Sequence, residues 1–389
     1  MRVAQIDSLH QKCTGCHACA QSCKLSAIQM VYSGDGFLYP QINKKLCVNC
    51  GICYRVCPLN VEKTITPILE SYSGYAKDAD VVAASSSGGV FYYLARRILQ
   101  ENGVIIGAAF DPVEKEVRHM STDQVPLKRL MRSKYVQSRI GNAYAEAEAA
   151  LKANRKVLFV GTPCQVRGLR NYLGEKAVTG NLETVDFMCH GVPSATFFQE
   201  FLRSLERKYG SQIRDVTFRE KDKGWHTQVT KVYFANGRTW RRNSLQHYYY
   251  YYFLNDYSLR DSCYECAEYH SHTSDLTLAD DWVSNAEKNK MGSSLIFVNT
   301  ANGQKMLEHI YDSMVLMPVR MNDFSIYSHE KYNMSKKAQW LEAWKNRGFN
   351  YAAGTYYRKV SGMKQLRQYI QNCASYVKRN VTAILFRRS

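Results

Sequence analysis

The sequence predicts a multidomain chain: a small α+β module held together by cysteine ligation, followed by a larger α/β module. Three observations predict it. Two matching combs of four cysteines lie within the first 60 residues. From Val81 to Tyr209 short apolar runs alternate with loops and helical spacing, the rhythm of an α/β layer structure. At Val216 the pattern changes to an antiparallel hairpin with Asn236-Gly237 at its turn.

The combs come first. Cys13, Cys16, Cys19 and Cys23 recur as Cys47, Cys50, Cys53 and Cys57, and Pro58 closes the second set. Both read C-x2-C-x2-C-x3-C, the spacing of two-cluster bacterial ferredoxins. Three closely spaced thiolates wrap one corner of a 4Fe–4S cube, and the fourth cysteine of each comb reaches across to the other cube. One cluster is therefore expected on Cys13, Cys16, Cys19 and Cys57, and the other on Cys47, Cys50, Cys53 and Cys23. Zinc sites take four ligands each and do not account for this eight-thiol comb. Disulfides would need an exported chain, and Met1-Arg2-Val3-Ala4 shows no signal-peptide pattern. A reducing cytoplasm is the expected compartment. So short a segment buries little apolar core, so the clusters must hold residues 1–62 together. Asp35 to Pro40 reads as a turn and short strand between the combs, and residues 61–80 as a linker with little periodicity.

The second module opens with the apolar run Val81–Ala84, then Ser85-Ser86-Ser87-Gly88-Gly89 and a helix over Val90–Leu99. A serine- and glycine-rich helix entry can cap the helix or present N–H groups to a phosphate. Val104–Phe110 reads as a strand and Gly141–Ala153 as an alanine-rich helix. Lys156–Val160 is a buried strand leading into Gly161-Thr162-Pro163-Cys164-Gln165 and a helix over Val166–Tyr172. Val185–Met188 leads likewise into Cys189-His190-Gly191 and a helix over Ser194–Tyr209. Function in such folds sits on the loops at strand ends. Thr227–Phe234 and Arg238–Arg241 form the hairpin arms. Tyr248 to Tyr252, five consecutive tyrosines, could shield a cluster or flank a planar ring.

Five cysteines lie outside the combs. Cys164 and Cys189 follow strands where a loop begins, and Cys263 and Cys266 form a CxxC. Read from spacing alone, these four are either buried small hydrophobes or the ligands of a further cube. Cys373 falls in an amphipathic helix over Met363–Val381 and reads as a packing residue. The net charge of +18 would fall to roughly +12 with three oxidised cubes, still basic. Residues 355–389 hold eight Lys or Arg and no acid, interleaved with Val377, Val381, Ile384, Leu385 and Phe386. Such a tail is a solvated helix or a contact for an anionic membrane surface or acidic partner. No apolar run is long enough to span a bilayer.

Together these pieces resemble the beta-subunit family of coenzyme F-420-reducing hydrogenases and formate dehydrogenases, with a ferredoxin module fused in front. The resemblance runs to about residue 320. It rests on Ser86-Ser87-Gly88-Gly89, Ser133-Lys134-Tyr135-Val136-Gln137-Ser138 and Gly161-Thr162-Pro163-Cys164-Gln165. It also rests on Cys189-His190-Gly191-Val192-Pro193-Ser194, Phe218-Arg219-Glu220-Lys221, Cys263-Tyr264-Glu265-Cys266 and Asp275 to Trp282. The chain departs at Ala279, where the family usually has Gly, and at Lys24, where ferredoxins usually place Pro.

The resemblance implies FAD and a third 4Fe–4S cluster ligated by Cys164, Cys189, Cys263 and Cys266. It makes Ser86, Ser87, Gly88 and Gly89 the flavin phosphate site. It adds Lys134, Gly161 and Thr162 as cofactor-binding candidates, with Lys134 placed to stabilise a reduced, anionic flavin ring. It implies three parts after the ferredoxin module: a flavin-binding part over 75–150, an iron–sulfur and flavin part over 151–325, and a basic helical tail over 326–389. A soluble ferredoxin or similar donor would pass single electrons through the clusters to FAD, which exchanges hydride with an acceptor, in either direction. Lys134, His190 and His226 are the candidate catalytic groups, with Lys223 beside them. Bacterial forms of this kind resemble accessory reductases of cell-surface polysaccharide pathways. A non-catalytic electron-transfer subunit docked on a larger redox complex is the alternative. Nucleic acid is not an expected partner, because no binding motif accompanies the charge.

Overall fold

The computed structural model describes residues 12–61, 67–175, 180–222, 224–243, 246–266, 268, 271–282, 291–320 and 334–358. In the first of these stretches, β1 (Ile28–Tyr32) and β2 (Leu38–Ile42) pair antiparallel, Ile28 opposite Ile42 and Tyr32 opposite Leu38. Each comb carries a single helical turn, Ala18–Gln21 or Ile52–Arg55. Its buried apolar cluster is small, built around Ile28 and Cys53, so ligation must supply much of its cohesion.

The remaining strands are β3 (Glu70–Ala76), β4 (Val104–Asp111), β5 (Glu116–Ser121), β6 (Val157–Val160), β7 (Leu182–Phe187), β8 (Ile213–Glu220), β9 (Val229–Phe234), β10 (Thr239–Asn243), β11 (Leu276–Asp280), β12 (Ser294–Val298) and β13 (Met314–Pro318). Eight of them form one mixed sheet, ordered β13-β3-β12-β11-β7-β6-β4-β5. Its centre, β4-β6-β7-β11, is parallel, so the loops after β6 and β7 emerge side by side at one edge. Those loops carry Cys164 and Cys189. β8, β9 and β10 make a separate antiparallel sheet with the turn at Asn236-Gly237, where Gly237 has φ 82°.

The predicted helices appear as Val90–Gln100, Ala143–Lys152, Pro163–Leu173 and Ala195–Tyr209. Each buries an apolar stripe against the sheets; Phe197, Phe198, Phe201 and Leu202 of the last are buried. Two sequence expectations need correction. Residues 70–76, read as linker, are an interior strand of the large sheet. Their serines disguise it: Ser71 Oγ donates to the Val319 carbonyl at 2.7 Å, and Ser73 Oγ donates to the Asp281 carboxylate. Burial by satisfied hydroxyls leaves no apolar alternation to read. The tyrosine run is not a cofactor screen either. It forms the helix Tyr248–Leu254 and packs into an aromatic core, with the Tyr249 and Phe201 rings stacked 5.1 Å apart.

Two further helices, Met334–Arg347 and Phe349–Arg358, pack on that core. Trp340 is 1% exposed, and Tyr252 Oη donates to the Ala352 and Ala353 carbonyls at 3.0 and 2.9 Å. The basic stretch 359–389, with Cys373 and the predicted Met363–Val381 helix, lies outside the described residues, as does Lys223. Among the described residues no helix is long and apolar enough to cross a membrane.

Candidate iron–sulfur and flavin site

The comb thiols fall into the two groups that their spacing predicts. Burial pushes the Cys16 thiol up, and Cys13 and Cys57 stand close enough to raise it further. Burial does the same for Cys19, with Cys16, Cys13 and Cys57 as its nearest charged neighbours. Around Cys53 the neighbours are Cys50, Cys47 and Cys23. The cross-over is thus present in the fold: Cys57 stands with the first comb and Cys23 with the second. Backbone N–H groups already point at sulfur, Gly15 to Cys13 Sγ at 3.4 Å and Ala27 to Cys23 Sγ at 3.3 Å.

The four later cysteines also meet. Cys164, Cys189, Cys263 and Cys266 line one cavity together with Thr14, Gln137, Thr162, Gly191, Glu268 and His272. Burial raises Cys164 to about 12, with Cys266 adding to it, and raises Cys263 to about 11. The Gly191 N–H points at Cys189 Sγ at 3.4 Å, and Thr162 Oγ1 lies 3.1 Å from Cys164 Sγ. Gly191 has φ 117°, and an added Cβ would stand 3.1 Å from Cys263 Cβ, so glycine lets the Cys189 loop approach the CxxC. Among the described residues no group of three His, Cys, Asp or Glu side chains could hold a single metal ion. A cube differs in holding its thiolates apart on separate irons. Desolvated thiols crowded by one another are costly to ionise alone, and an iron core supplies the missing positive charge. The donor set therefore fits a cluster.

This cavity adjoins the first comb. Helix Pro163–Leu173, which begins at Cys164, presents Gly168 to Cys16; an added Cβ there would lie 3.0 Å from Cys16 Cβ and 3.1 Å from its Sγ. Cys164 also contributes to the raised pKa of Cys16. Arg260, fully buried, ties the junction. Its guanidinium donates to the Cys13 carbonyl at 2.6 Å, the Leu38 carbonyl at 3.0 Å and Gln137 Oε1 at 3.0 Å, and lies 4.2 Å from the Tyr39 ring centroid. Gln137 in turn donates to the Thr14 carbonyl at 3.1 Å. A second clasp is Lys337, whose ammonium pairs with Asp261 and lies 3.5 Å from Asp35.

The flavin candidates gather around Ser86. Ser86 Oγ accepts the Ser133 N–H at 2.8 Å, and the Ser86 carbonyl accepts Trp225 Nε1 at 3.1 Å. Gly88 donates its N–H to Ser294 Oγ at 2.9 Å and presses on the Gly74 carbonyl, leaving no room for a Cβ. That amide, which a phosphate could have used, is thus engaged within the fold. Gly89 takes φ 93° as the helix begins. Lys221 donates to the Val82 and Ser87 carbonyls, each at 2.7 Å, and burial holds its pKa down to about 7, with Arg219 adding to the effect. Lys134 donates to the Met131 carbonyl at 2.5 Å; desolvation of this partly exposed lysine lowers its pKa to about 7. Among the described residues neither lysine has a carboxylate within salt-bridge distance, whereas Arg132 pairs with Glu220 and Arg219 with Asp280. Two lysines held by neutral oxygens suit an anionic ligand.

The three catalytic candidates do not converge. Lys134 follows Ser133 at the Ser86 loop. His226 is exposed beside Trp225 and Trp282, whose rings stack 4.3 Å apart. His190 lies on the cysteine cavity, with Nε2 3.2 Å from Asp256 Oδ1. Gly161 and Thr162 begin the loop to Cys164, and Thr162 closes a capping box with Gln165.

Sequence reading missed the polar frame behind the cavity. His272 Nδ1 lies 2.9 Å from Asp186, which also accepts Thr277 Oγ1 at 2.6 Å. Buried Arg167 pairs with Glu268 and donates to Ser271 Oγ at 2.7 Å. The aspartates after Ser274 are latches. Asp275 accepts the Thr184 N–H and hydroxyl at 2.8 and 2.7 Å, fastening β7 to β11.

Residues 154–323 match the family model for the C terminus of the coenzyme F420 hydrogenase/dehydrogenase beta subunit, and residues 12–61 match that for the 4Fe-4S dicluster domain. The chain is an iron–sulfur member of that beta-subunit family. Its oxidoreductase class and the two 4Fe–4S clusters of its dicluster domain follow. No curated protein matches this family member. Among solved structures it is similar to a chain of the F420-reducing [NiFe] hydrogenase complex from Methanosarcina barkeri. Identity there is 17%, covering 67% of this chain and 86% of that one, with a TM-score of 0.46.

Proposed function

We propose that this chain is an iron–sulfur flavoprotein that moves electrons between a ferredoxin-type donor and a hydride acceptor. The observation that carries the reading is the cavity lined by Cys164, Cys189, Cys263 and Cys266, set directly against Cys16 of the dicluster module. The twelve thiols form three adjacent groups in the order (Cys47, Cys50, Cys53, Cys23), (Cys13, Cys16, Cys19, Cys57) and (Cys164, Cys189, Cys263, Cys266). When bound, three cubes carry single electrons and FAD joins that traffic to two-electron hydride chemistry.

The chain's own residues hold the path together. Arg260 and Gln137 fix the first comb against the third thiol group and supply positive charge beside ligand sets that become anionic when loaded. The strap Ser133–Ser138 links the two halves of the site: Ser133 bonds Ser86, and Gln137 lines the cysteine cavity. Four residues of extended chain span at most about 14 Å, short enough for electrons to step between a flavin at the Ser86–Gly89 loop and the third thiol group. Lys134 and Lys221 would face the flavin's phosphates or its reduced ring. An anion there raises both lysine pKa values back toward their ordinary range. Gly161 and Thr162 set the loop on which Cys164 stands, and His190 and His226 remain the proton-donor candidates.

The domain reading pairs with this path: residues 1–62 bring electrons in, 75–150 and 151–325 share the flavin and the third cluster, and 326–389 close the aromatic core and extend into a basic tail. The acceptor is open to a direct search. Reduced, anaerobic full chain would be offered coenzyme F-420, small quinones and nucleotide-linked sugars, with flavin reoxidation followed at 450 nm, about the wavelength where oxidised flavins absorb. Denaturation should release FAD. A reconstituted chain that binds neither FAD nor FMN refutes the flavoprotein reading. Release of FAD with no acceptor turned over favours a relay subunit of a larger redox complex.

A further inference from the structure

We infer that electrons enter through the second comb, at a basic and apolar surface that docks a small acidic one-electron carrier. This rests on the cluster reading above and adds the port, its orientation and the partner's chemistry.

Orientation comes first. The first comb faces inward: Cys16 is buried, its sulfur is covered by the helix carrying Gly168, and Arg260 seals the Cys13 carbonyl. Asn171 of the same helix donates to the Val56 carbonyl at 3.2 Å, holding the Cys57 segment on that side. The second comb faces outward. Cys50 is exposed, Val48 is 67% exposed and Leu46 is 49% exposed, and Leu25 beside Cys23 is 50% exposed. Such a run of apolar side chains around ligand positions is unusual on a module with so little core of its own.

Charge then names the partner. Lys24, Lys44, Lys45 and Arg55 are all exposed on this same face. Arg55 lies over the comb and donates to the Cys50 carbonyl at 3.4 Å. Residues 36–61 contain no Asp or Glu. Asp35, just before them, is turned to Lys337 instead. An apolar centre ringed by cations fits an acidic carrier with an apolar patch over its own centre, and steers it by long-range attraction. In the transfer, one electron leaves the carrier's reduced iron–sulfur centre, which is oxidised by one. It is accepted at the group held by Cys47, Cys50, Cys53 and Cys23, which is reduced by one. No bond or proton moves.

The test uses the anaerobic full chain and a reduced plant-type [2Fe–2S] ferredoxin as the acidic carrier. Stopped-flow mixing gives the second-order rate constant at several salt concentrations, and a water-soluble carbodiimide joins carrier carboxylates to lysines in contact. The double variant Lys44→Glu/Lys45→Glu should lower the rate constant at low salt by about tenfold or more, with a flatter salt dependence. Val48→Asp should lower it at every salt concentration. Arg207→Glu, a comparable charge reversal on helix Ala195–Tyr209, should leave it within about twofold. Cross-links should map to Lys44, Lys45 or Lys24. Normal iron content with unchanged rates in the double variant, or cross-links confined to other lysines, overturns the port alone. An unsubstituted chain that binds no iron overturns the port together with the cluster reading.

Discussion

Replacing Arg260 with methionine should loosen the ferredoxin module from the α/β module while leaving the large sheet intact. The guanidinium is fully buried and donates to three acceptors, two of them backbone carbonyls of the first module. Hydrogen bonds from a charged donor contribute about 1.5–3 kcal/mol each, and the Tyr39 and Phe37 faces add about 0.5–2 kcal/mol. These do not simply sum, because desolvating the cation costs several kcal/mol. The net loss on truncation should be about 3–5 kcal/mol, as for other buried charged groups whose partners are left unpaired. Native-state hydrogen exchange reads it locally. Amides of residues 12–16 and 37–42 should lose about a hundredfold or more in protection, while β6 and β7 keep theirs. Arg260→Lys should fall between, since one ammonium cannot reach all three acceptors in a fork. Unchanged protection in the methionine variant, with the unfolding midpoint shifted by less than about 1 kcal/mol, would refute this role.

Gly168→Val should displace Cys16, because even a Cβ meets Tyr144 Oη at 2.7 Å and Cys16 Sγ at 3.1 Å. Metal analysis and low-temperature paramagnetic resonance should then show loss of the first-comb cluster with the second retained. Trp340→Ala should destabilise the chain by about 3–5 kcal/mol in denaturant unfolding, since the indole is 1% exposed against Phe197 and Tyr252. A cost near zero would instead make residues 334–358 a dispensable appendage. Lys221 gives a pH signature. Its pKa is about 7 in the fold, against an ordinary 10.5, so between those values the unfolded chain binds the extra proton. Stability should rise with pH from about 7 to about 10 and be flat below about 7, by at most about 1.4 kcal/mol per pH unit. Lys221→Met should remove that slope from stability curves of flavin-free protein, and an equal slope in both proteins contradicts the assignment.

Much of this was legible in the sequence because ligand geometry and short-range spacing are local. Comb spacing alone predicted the cross-over of Cys57 and Cys23. The βα alternation predicted β6 and β7 and the loops bearing Cys164 and Cys189. What the sequence hid is long-range and polar. β3 hid because Ser71 and Ser73 are buried by partners more than 200 positions away. Arg260 looked like an ordinary basic residue, and only its three acceptors from three distant segments reveal a clasp. The tyrosine run misled for the opposite reason. Its composition suggested chemistry, whereas helix Tyr248–Leu254 puts Tyr249, Tyr250 and Tyr252 into the core, with their hydroxyls on backbone and side-chain acceptors.

Iron counting tests the central claim most directly. Anaerobically purified full chain should hold about twelve irons and twelve acid-labile sulfides, and Cys164→Ala about eight of each with the dicluster signals unchanged. About eight irons in the unsubstituted chain, with no change on substituting Cys164, would contradict the third cluster and with it the proposed path from the ferredoxin module to the flavin.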